Sequence, residues 1–141
     1  MRLAVIIDET LPLGRAANAA AILGMSIGRE ASGCLGPDVP DASGSIHPGI
    51  TNLSVPVLAS DPEGLRSLRA RAAADPSVRF ADFTDVAQGT RTYEEYADRL
   101  ARTDPSALRY LGLCLYGRDE TVRDLTSELC PLGRPRRTEG A

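Results

Sequence analysis

The chain contains no lysine and no tryptophan, and it has a single histidine. All sixteen basic residues are arginines, so mechanisms that need a Schiff-base lysine or a lysine general base are excluded. The formal net charge of −3 argues against a nucleic-acid-binding surface, because phosphate binding depends on clustered positive charge. We therefore expect no nucleic-acid partner.

Long apolar runs and paired cysteines are also missing. No segment reaches the ~20 apolar residues of a membrane span, and the first residues lack the features of a signal peptide. Cys34, Cys114 and Cys130 are widely spaced without a C-x-x-C pair, which favours reduced thiols over a zinc site or a disulfide framework. We expect a cytoplasmic protein with no membrane partner, no metal and no other cofactor.

The 141 residues suit one α/β domain over residues 1–132, followed by a disordered C-terminal tail over 133–141. Apolar strands are predicted at 3–7, 54–59, 78–83 and 110–116, and helices are predicted to begin near Gly14, Pro62, Thr92 and Arg118. Alternating strands and helices predict a mostly parallel, layered sheet with ligands bound beyond the strand ends.

The stretch from Leu3 to Gly28 is an apolar strand, a polar turn and an alanine-rich helix. Between Ala16 and Met25 every side chain except Asn18 is small or apolar, which predicts a helix buried on most of its circumference, with a buried amide. The free N–H groups at the start of this helix favour an anion or a carboxylate beside Arg15.

Glycine and proline are concentrated between Cys34 and Gly49. The turn sequence from Asp41 to Gly44 predicts a hairpin or an ordered loop, and a mobile lid is the alternative. His47, the only histidine, lies in this segment.

Several sequence motifs together resemble one bacterial family. They are Leu11-Pro12-Leu13-Gly14 with Ala17-Asn18, Gly36-Pro37-Asp38 with Asp41-Ala42-Ser43-Gly44, Thr92-Tyr93-Glu94-Glu95-Tyr96, and Tyr110-Leu111-Gly112 with the segment 122–129. The chain resembles the family known as domain of unknown function 2000, from Leu3 to about Leu132. That family is similar in fold to the type 2 peptidyl-tRNA hydrolases. The resemblance implies an α/β fold with an approximately four-stranded mixed sheet and helices on both faces.

The motifs of those hydrolases are only partly kept. Gly14-Arg15 stands where the resemblance implies a catalytic lysine, the segment 85–90 occupies the Asp-Ala-Gly-x-Thr loop, and Thr126 keeps the threonine of the closing helix. A guanidinium retains its proton at neutral pH. The replacement of lysine by Arg15 therefore argues against hydrolysis of peptidyl-tRNA.

Nine residues are candidates for a cleft beyond the strand ends. For catalysis, Asp85 or His47 would move a proton and Asn18 would orient a carbonyl group. For substrate binding, Arg15 would hold an anionic group, and the other candidates are Asp8, Thr10, Gln88, Thr90 and Tyr93. Six of them have a structural alternative: a loop tie for Asn18, a turn or cap for Asp85, a solvated surface charge for Arg15, surface exposure for His47, helix capping for Thr90, and core packing for Tyr93, as for Tyr96.

Three functions remain open at this stage. The leading hypothesis is a protein that binds or transforms a small carboxylate- or amide-bearing metabolite by acid–base chemistry. The first alternative is a non-catalytic homodimeric binding module, and a homodimer is the expected assembly for the leading hypothesis as well. The second is a peptidyl-tRNA or ester hydrolase.

Overall fold

The computed structural model describes residues 1–134 and contains a five-stranded mixed sheet with the strand order β5-β6-β1-β4-β7. The sheet strands are β1 (Arg2–Asp8), β4 (Val57–Ser60), β5 (Arg79–Thr84), β6 (Tyr110–Gly117) and β7 (Cys130–Pro131), and a separate hairpin contains β2 (Val39–Pro40) and β3 (Ile46–His47). The helices are α1 (Leu13–Ile27), α2 (Pro62–Ala73), α3 (Asp85–Gln88), α4 (Tyr93–Ala101) and α5 (Asp119–Thr126).

The prediction of a mostly parallel sheet is wrong, whereas the mixed sheet implied by the family resemblance is confirmed. The sheet has five strands rather than about four, because the short strand β7 pairs with β4 at one edge. Among the paired neighbours only β1 and β4 are parallel, and β6 runs antiparallel to both β1 and β5. A parallel connection needs a crossover that covers one face of the sheet. Between β5 and β6 the helix α4 contacts α3 and has no fully buried residue, so the chain reverses direction without a crossover.

Helices cover both faces of the sheet, as predicted. The alternating side chains of β1 divide between two cores: Leu3, Val5 and Ile7 pack with α1, whereas Ala4 and Ile6 pack with α2 and α5. Side chains of one strand alternate between the faces, and β1 is apolar on both because each face is covered. The strand β6 is likewise buried on both faces, and it lies between β5 and β1.

Helix α1 is far more exposed than the sequence predicts. It buries only one stripe, Ala16, Ala19, Leu23 and Ile27, which packs on the sheet. Asn18 is exposed, so the prediction of a buried amide is wrong. Alanine and glycine carry no polarity that marks a solvent-facing side, and the sequence of α1 therefore does not reveal which face is covered.

The segment between Cys34 and Gly49 contains the predicted hairpin. Strands β2 and β3 pair antiparallel around a turn in which Gly44 adopts a φ of 85°, a conformation that costs glycine little. The segments that flank the hairpin are also paired. Leu35 and Thr51 form an isolated antiparallel β-bridge, and the Gly36 amide donates a 2.8 Å hydrogen bond to the Ile50 carbonyl.

Two of the helices predicted from the sequence begin with a side-chain cap. Asp61 accepts a 2.7 Å hydrogen bond from the Gly64 amide at the start of α2, and the Thr92 hydroxyl accepts one of 3.1 Å from the Glu95 amide at the start of α4. Such side-chain acceptors satisfy the free N–H groups of a first turn. The core position predicted for Tyr93 is wrong, because Tyr93 is 82% exposed.

The last described residues add a short strand to one edge of the sheet. Pro131 belongs to β7, which pairs with β4, and the Leu132 amide donates a 2.9 Å hydrogen bond to the Val57 carbonyl. Of the tail predicted at 133–141, residues 135–141 lie outside the described residues.

Among residues 1–134, no helix has the length and apolar character needed to cross a membrane.

Candidate functional site

The candidate site lies at one rim of the sheet, where β1, β4 and β5 end and β6 begins. Asp8 pairs with Ser60, and Thr84 pairs with Tyr110. The last residues of β1, β4 and β5 and the first residue of β6 therefore lie at the same edge of the sheet. We call this rim, with the turn and the helix start that follow β1, the carboxyl rim. Ligands in α/β proteins commonly bind at such rims.

Asp8 is the central group of the carboxyl rim. Its side chain is completely buried, although it ends a strand that is otherwise apolar from Leu3 onward. One carboxylate oxygen, Oδ1, accepts hydrogen bonds from the Thr10 amide at 2.9 Å and the Thr10 hydroxyl at 2.7 Å. The other, Oδ2, lies 2.8 Å from Nη2 of Arg109. A buried carboxylate needs such partners to keep its charge.

These partners keep Asp8 ionised. Burial by itself raises the pKa of Asp8, but the hydrogen bonds from Arg109 and from Thr10 outweigh burial, and the pKa lies below its ordinary value of 3.8. Asp8 is therefore a carboxylate at neutral pH. Because it is buried and fully engaged, we assign it to holding Arg109 in place rather than to proton transfer.

Arg109 is fixed from two sides and remains accessible. Its backbone amide donates to Oδ1 of Asp85 at 3.2 Å, and its carbonyl accepts from the Asp85 amide at 3.0 Å. Its Nη2 also donates to the Thr10 hydroxyl at 3.1 Å. Half of the side chain, 51%, is exposed, and its Nε and Nη1 make no hydrogen bond with the described residues. These N–H groups are available to an external acceptor.

Only one of the two carboxylate oxygens of Asp85 accepts hydrogen bonds from the described residues. Oδ1 accepts from the Val86 amide at 3.0 Å and from Arg109. Within residues 1–134, Oδ2 has no hydrogen-bond partner, and the residue is exposed at the start of the short helix α3. Asp85 is thus the group at the carboxyl rim that is best placed to accept a proton from a bound molecule.

The start of α1 lies beside this cluster, because a tight turn with a 3.2 Å hydrogen bond from the Leu11 amide to the Asp8 carbonyl connects β1 to it. Pro12 is the N-cap residue; no side chain caps this end, and the first turn contains no acidic residue. Gly14 has open space around it. The first turn therefore presents free N–H groups and the positive end of a helix dipole.

The other predicted binding residues occupy different positions around the carboxyl rim. Arg15 is exposed on the first turn of α1 and forms no ion pair with the described residues. Gln88 is half-buried on α3. The hydroxyl of Thr90 is already engaged, since it donates to the Val86 and Ala87 carbonyls at 3.2 Å each. Tyr93 packs edge-to-face against Tyr96 at the start of α4, with ring centroids 5.5 Å apart.

His47 and Asn18 are not brought into this cluster. His47 lies on the hairpin, which is joined to the end of α1 distant from the carboxyl rim, and its Nε2 lies 2.8 Å from Oδ2 of Asp41. Asn18 lies on the exposed side of α1. The structure thus brings together Asp8, Thr10 and Asp85 from the predicted set.

Arg109 is the residue that sequence reasoning missed. One signal was present: Asp8 follows five consecutive apolar residues at the end of a strand, and a carboxylate buried there requires a cation. The sequence contains sixteen arginines and no lysine, so an arginine was the only strong candidate. Which arginine supplies the charge could not be identified, because Asp8 and Arg109 lie 101 residues apart in the chain.

Comparison with known proteins supports the family and the fold. The family model described as "Protein of unknown function (DUF2000)" matches residues 1–132. The solved structure of a protein of unknown function, Atu0240 from Agrobacterium tumefaciens strain C58, superposes with a TM-score of 0.81 at 18% identity, covering 92% of this chain and 96% of that one. No curated protein matches the chain. The chain belongs to the DUF2000 family of proteins of unknown function.

Proposed function

We propose that the carboxyl rim binds a small metabolite bearing a carboxylate and an adjacent carbonyl or amide group. The observation that carries the proposal is the accessible guanidinium of Arg109, which Asp8 and Thr10 hold near the uncapped start of α1. An arginine held by a buried carboxylate is positioned in advance for a second, external anion. Its side chain is 51% exposed, so a ligand reaches it without displacing Asp8.

The charges at the carboxyl rim favour a ligand with a single negative charge. Asp8 neutralises Arg109, and Asp85 adds a second negative charge next to Arg109. Arg15 and the positive end of the α1 dipole provide the remaining attraction. A phosphate dianion would meet repulsion from Asp85, whereas a carboxylate placed between Arg109 and the first turn of α1 would not.

Any chemistry at this site would begin at Asp85. Asp85 is exposed and its Oδ2 has no hydrogen-bond partner within residues 1–134, so a ligand carboxylate held by Arg109 would present its neighbouring carbon or amide to that oxygen. His47 lies outside this arrangement, so Asp85 would act without a histidine partner. We propose proton abstraction beside the carboxylate as the reaction class, and simple binding as the alternative.

The type 2 peptidyl-tRNA-hydrolase-like fold and the cytoplasmic location are proposals of the same kind. The mixed sheet with helices on both faces supports the first. Hydrolysis of peptidyl-tRNA is the less favoured activity, because a guanidinium at Arg15 does not act as a base at neutral pH.

The test is a nuclear magnetic resonance titration of isotope-labelled protein with three probes: acetate, succinate and N-acetylglycine. We expect saturable shifts of the amide resonances at Thr10, Leu13 to Arg15 and Asp85. The Arg109→Met variant should bind at least about tenfold more weakly, because one charge-assisted contact is lost. Arg123→Met is the matched control, since Arg123 pairs with Asp119 on α5.

Two outcomes of the titration would refute the binding proposal: shifts spread over the whole surface, or equal affinity in wild type and Arg109→Met. Two further measurements separate the alternative functions. Exchange of the N-acetylglycine α-protons with deuterium, lost in Asp85→Asn, would favour the enzyme over the binding protein. Release of peptide from peptidyl-tRNA by the purified protein would instead favour the hydrolase.

A further inference from the structure

The exposed side of α1 carries an uncharged surface unlike that of an ordinary solvated helix. No charged residue occurs between Arg15 and Arg29, yet most of this stretch faces solvent. We define the outer face of α1 as Ala17, Asn18, Ala21, Ile22 and Met25. A solvent-facing helix surface normally carries charged and polar residues, so this face is suited to being covered.

Large apolar side chains extend this surface beyond the helix. Leu13 and Met25 are 87% and 86% exposed, and Leu35 and Ile50, on the loop that follows α1, are 64% and 78% exposed. A cavity of about 230 Å³ lies between α1 and this loop, and its lining includes Gly24, Gly28, Leu35 and Val55. Monomeric proteins rarely expose a contiguous apolar patch of more than roughly a few hundred Å².

We propose that the outer face of α1 is the interface with a second copy of this chain, in which two α1 helices pack antiparallel around a two-fold axis near Ala21. In a two-fold interface the same patch serves both subunits. A patch without charge is compatible with itself, because no like charges come together when it meets its own copy.

The electrostatics of α1 favour the antiparallel arrangement. Its first turn has no acidic residue and its last turn has no basic one, so neither end of the dipole is compensated by a side chain within the terminal turns. An antiparallel partner places its negative end beside the positive start of the first helix, and the reverse.

The shape of the surface suits the same arrangement. Ala17 and Ala21 are small and allow two helix backbones to approach closely around Ala21. Leu13 lies eight residues before Ala21 and Gly28 seven after it. Leu13 of one copy is therefore level with the cavity beside Gly24 and Gly28 of the other. The exposed leucine and the cavity, both unexplained in an isolated chain, complement one another.

The size of the patch sets the expected affinity. Helix α1 has 15 residues and is about 22 Å long, so the helix and the loop together offer fewer residues than the 20–30 per side, roughly, of a standard interface. We expect a dimer with a dissociation constant on the order of micromolar.

The experiment is sedimentation equilibrium of the full chain from about 1 to 500 µM, a range that brackets micromolar dissociation constants. Wild type should pass from monomer to dimer. Ala21→Glu should raise the dissociation constant at least about thirtyfold, because it puts two like charges at the two-fold axis without partners. The matched control is Ala97→Glu, at an exposed alanine on α4 outside the patch.

A cross-linking arm tests the geometry directly. Residue 21 should lie opposite its own copy, so Ala21→Cys in a Cys130→Ser background should form a disulfide-linked dimer on oxidation. Ala97→Cys in the same background should not.

Three outcomes would overturn the proposal: a wild-type monomer throughout the range, equal dimerisation of Ala21→Glu and Ala97→Glu, or no preference for cross-linking at position 21. The sedimentation and cross-linking measurements use no ligand, and Arg109 and Asp85 lie outside the patch; the two sites share only the first turn of α1, with Leu13 and Arg15. The dimer and the ligand contact with Arg109 can therefore fail independently.

Discussion

Replacing Arg109 by methionine should destabilise the protein in a pH-dependent way. The substitution keeps most of the aliphatic stem and removes the charge that lies 2.8 Å from Oδ2 of the buried Asp8. A hydrogen bond to a charged group contributes about 1.5–3 kcal/mol. Since Arg109 is half exposed and water can partly replace it, we expect a loss of about 2 kcal/mol at pH 7, or about 8 °C in melting temperature.

The sign of the pH dependence follows from the pKa of Asp8. In wild type this pKa lies below 3.8, so ionised Asp8 stabilises the fold above that pH, and the contribution is lost as the pH falls through the lowered pKa. Without Arg109, burial still raises the pKa of Asp8 and one opposing hydrogen bond is gone. The stability difference between wild type and Arg109→Met should therefore be largest near neutral pH and should shrink as the pH approaches 3.

Urea unfolding at several pH values, with a double-mutant cycle, provides the measurement. Asp8→Asn should cost less than Arg109→Met, because it leaves a half-exposed guanidinium in water rather than a buried carboxylate without its cation. The double variant should be more stable than the sum of the single losses predicts. A stability difference that is constant from pH 7 to 3, or strictly additive losses, would refute the assigned role of the pair.

Two further predictions concern the core. Gly112→Ala should cost about 1–3 kcal/mol, because a Cβ atom there would lie 2.7 Å from a Leu23 methyl and 3.1 Å from an Ile7 methyl; a neutral effect on the urea midpoint would contradict this packing. Cys114 is buried with its pKa raised to about 12 by desolvation, whereas Cys130 is exposed, so iodoacetamide at pH 7.5 should label Cys130 in the folded protein and Cys114 only after unfolding. Equal labelling rates would show that the core around β6 opens readily.

Local sequence patterns determined much of the secondary structure. The apolar run from Leu3 to Ile7 identifies β1, and Asp61 and Thr92 begin helices because their side chains accept hydrogen bonds from amides three residues later. These interactions involve neighbours in the chain and can be recognised without knowledge of the fold. The positions of Asp8, Thr10 and Asp85 beyond strand ends follow from the same patterns.

Only the tertiary structure decided the direction of β6, the exposure of Asn18 and the partner of Asp8. Strand direction depends on whether α4 crosses the sheet, and α4 contacts α3 instead. The covered face of α1 depends on which side meets the sheet, and a helix rich in alanine does not encode that choice. Asp8 could in principle pair with any of the sixteen arginines in the sequence. The antiparallel pairing of β1 with β6 brings the start of β6 next to the end of β1. Arg109 directly precedes β6, so the strand pairing, and not the local sequence, places its side chain beside Asp8.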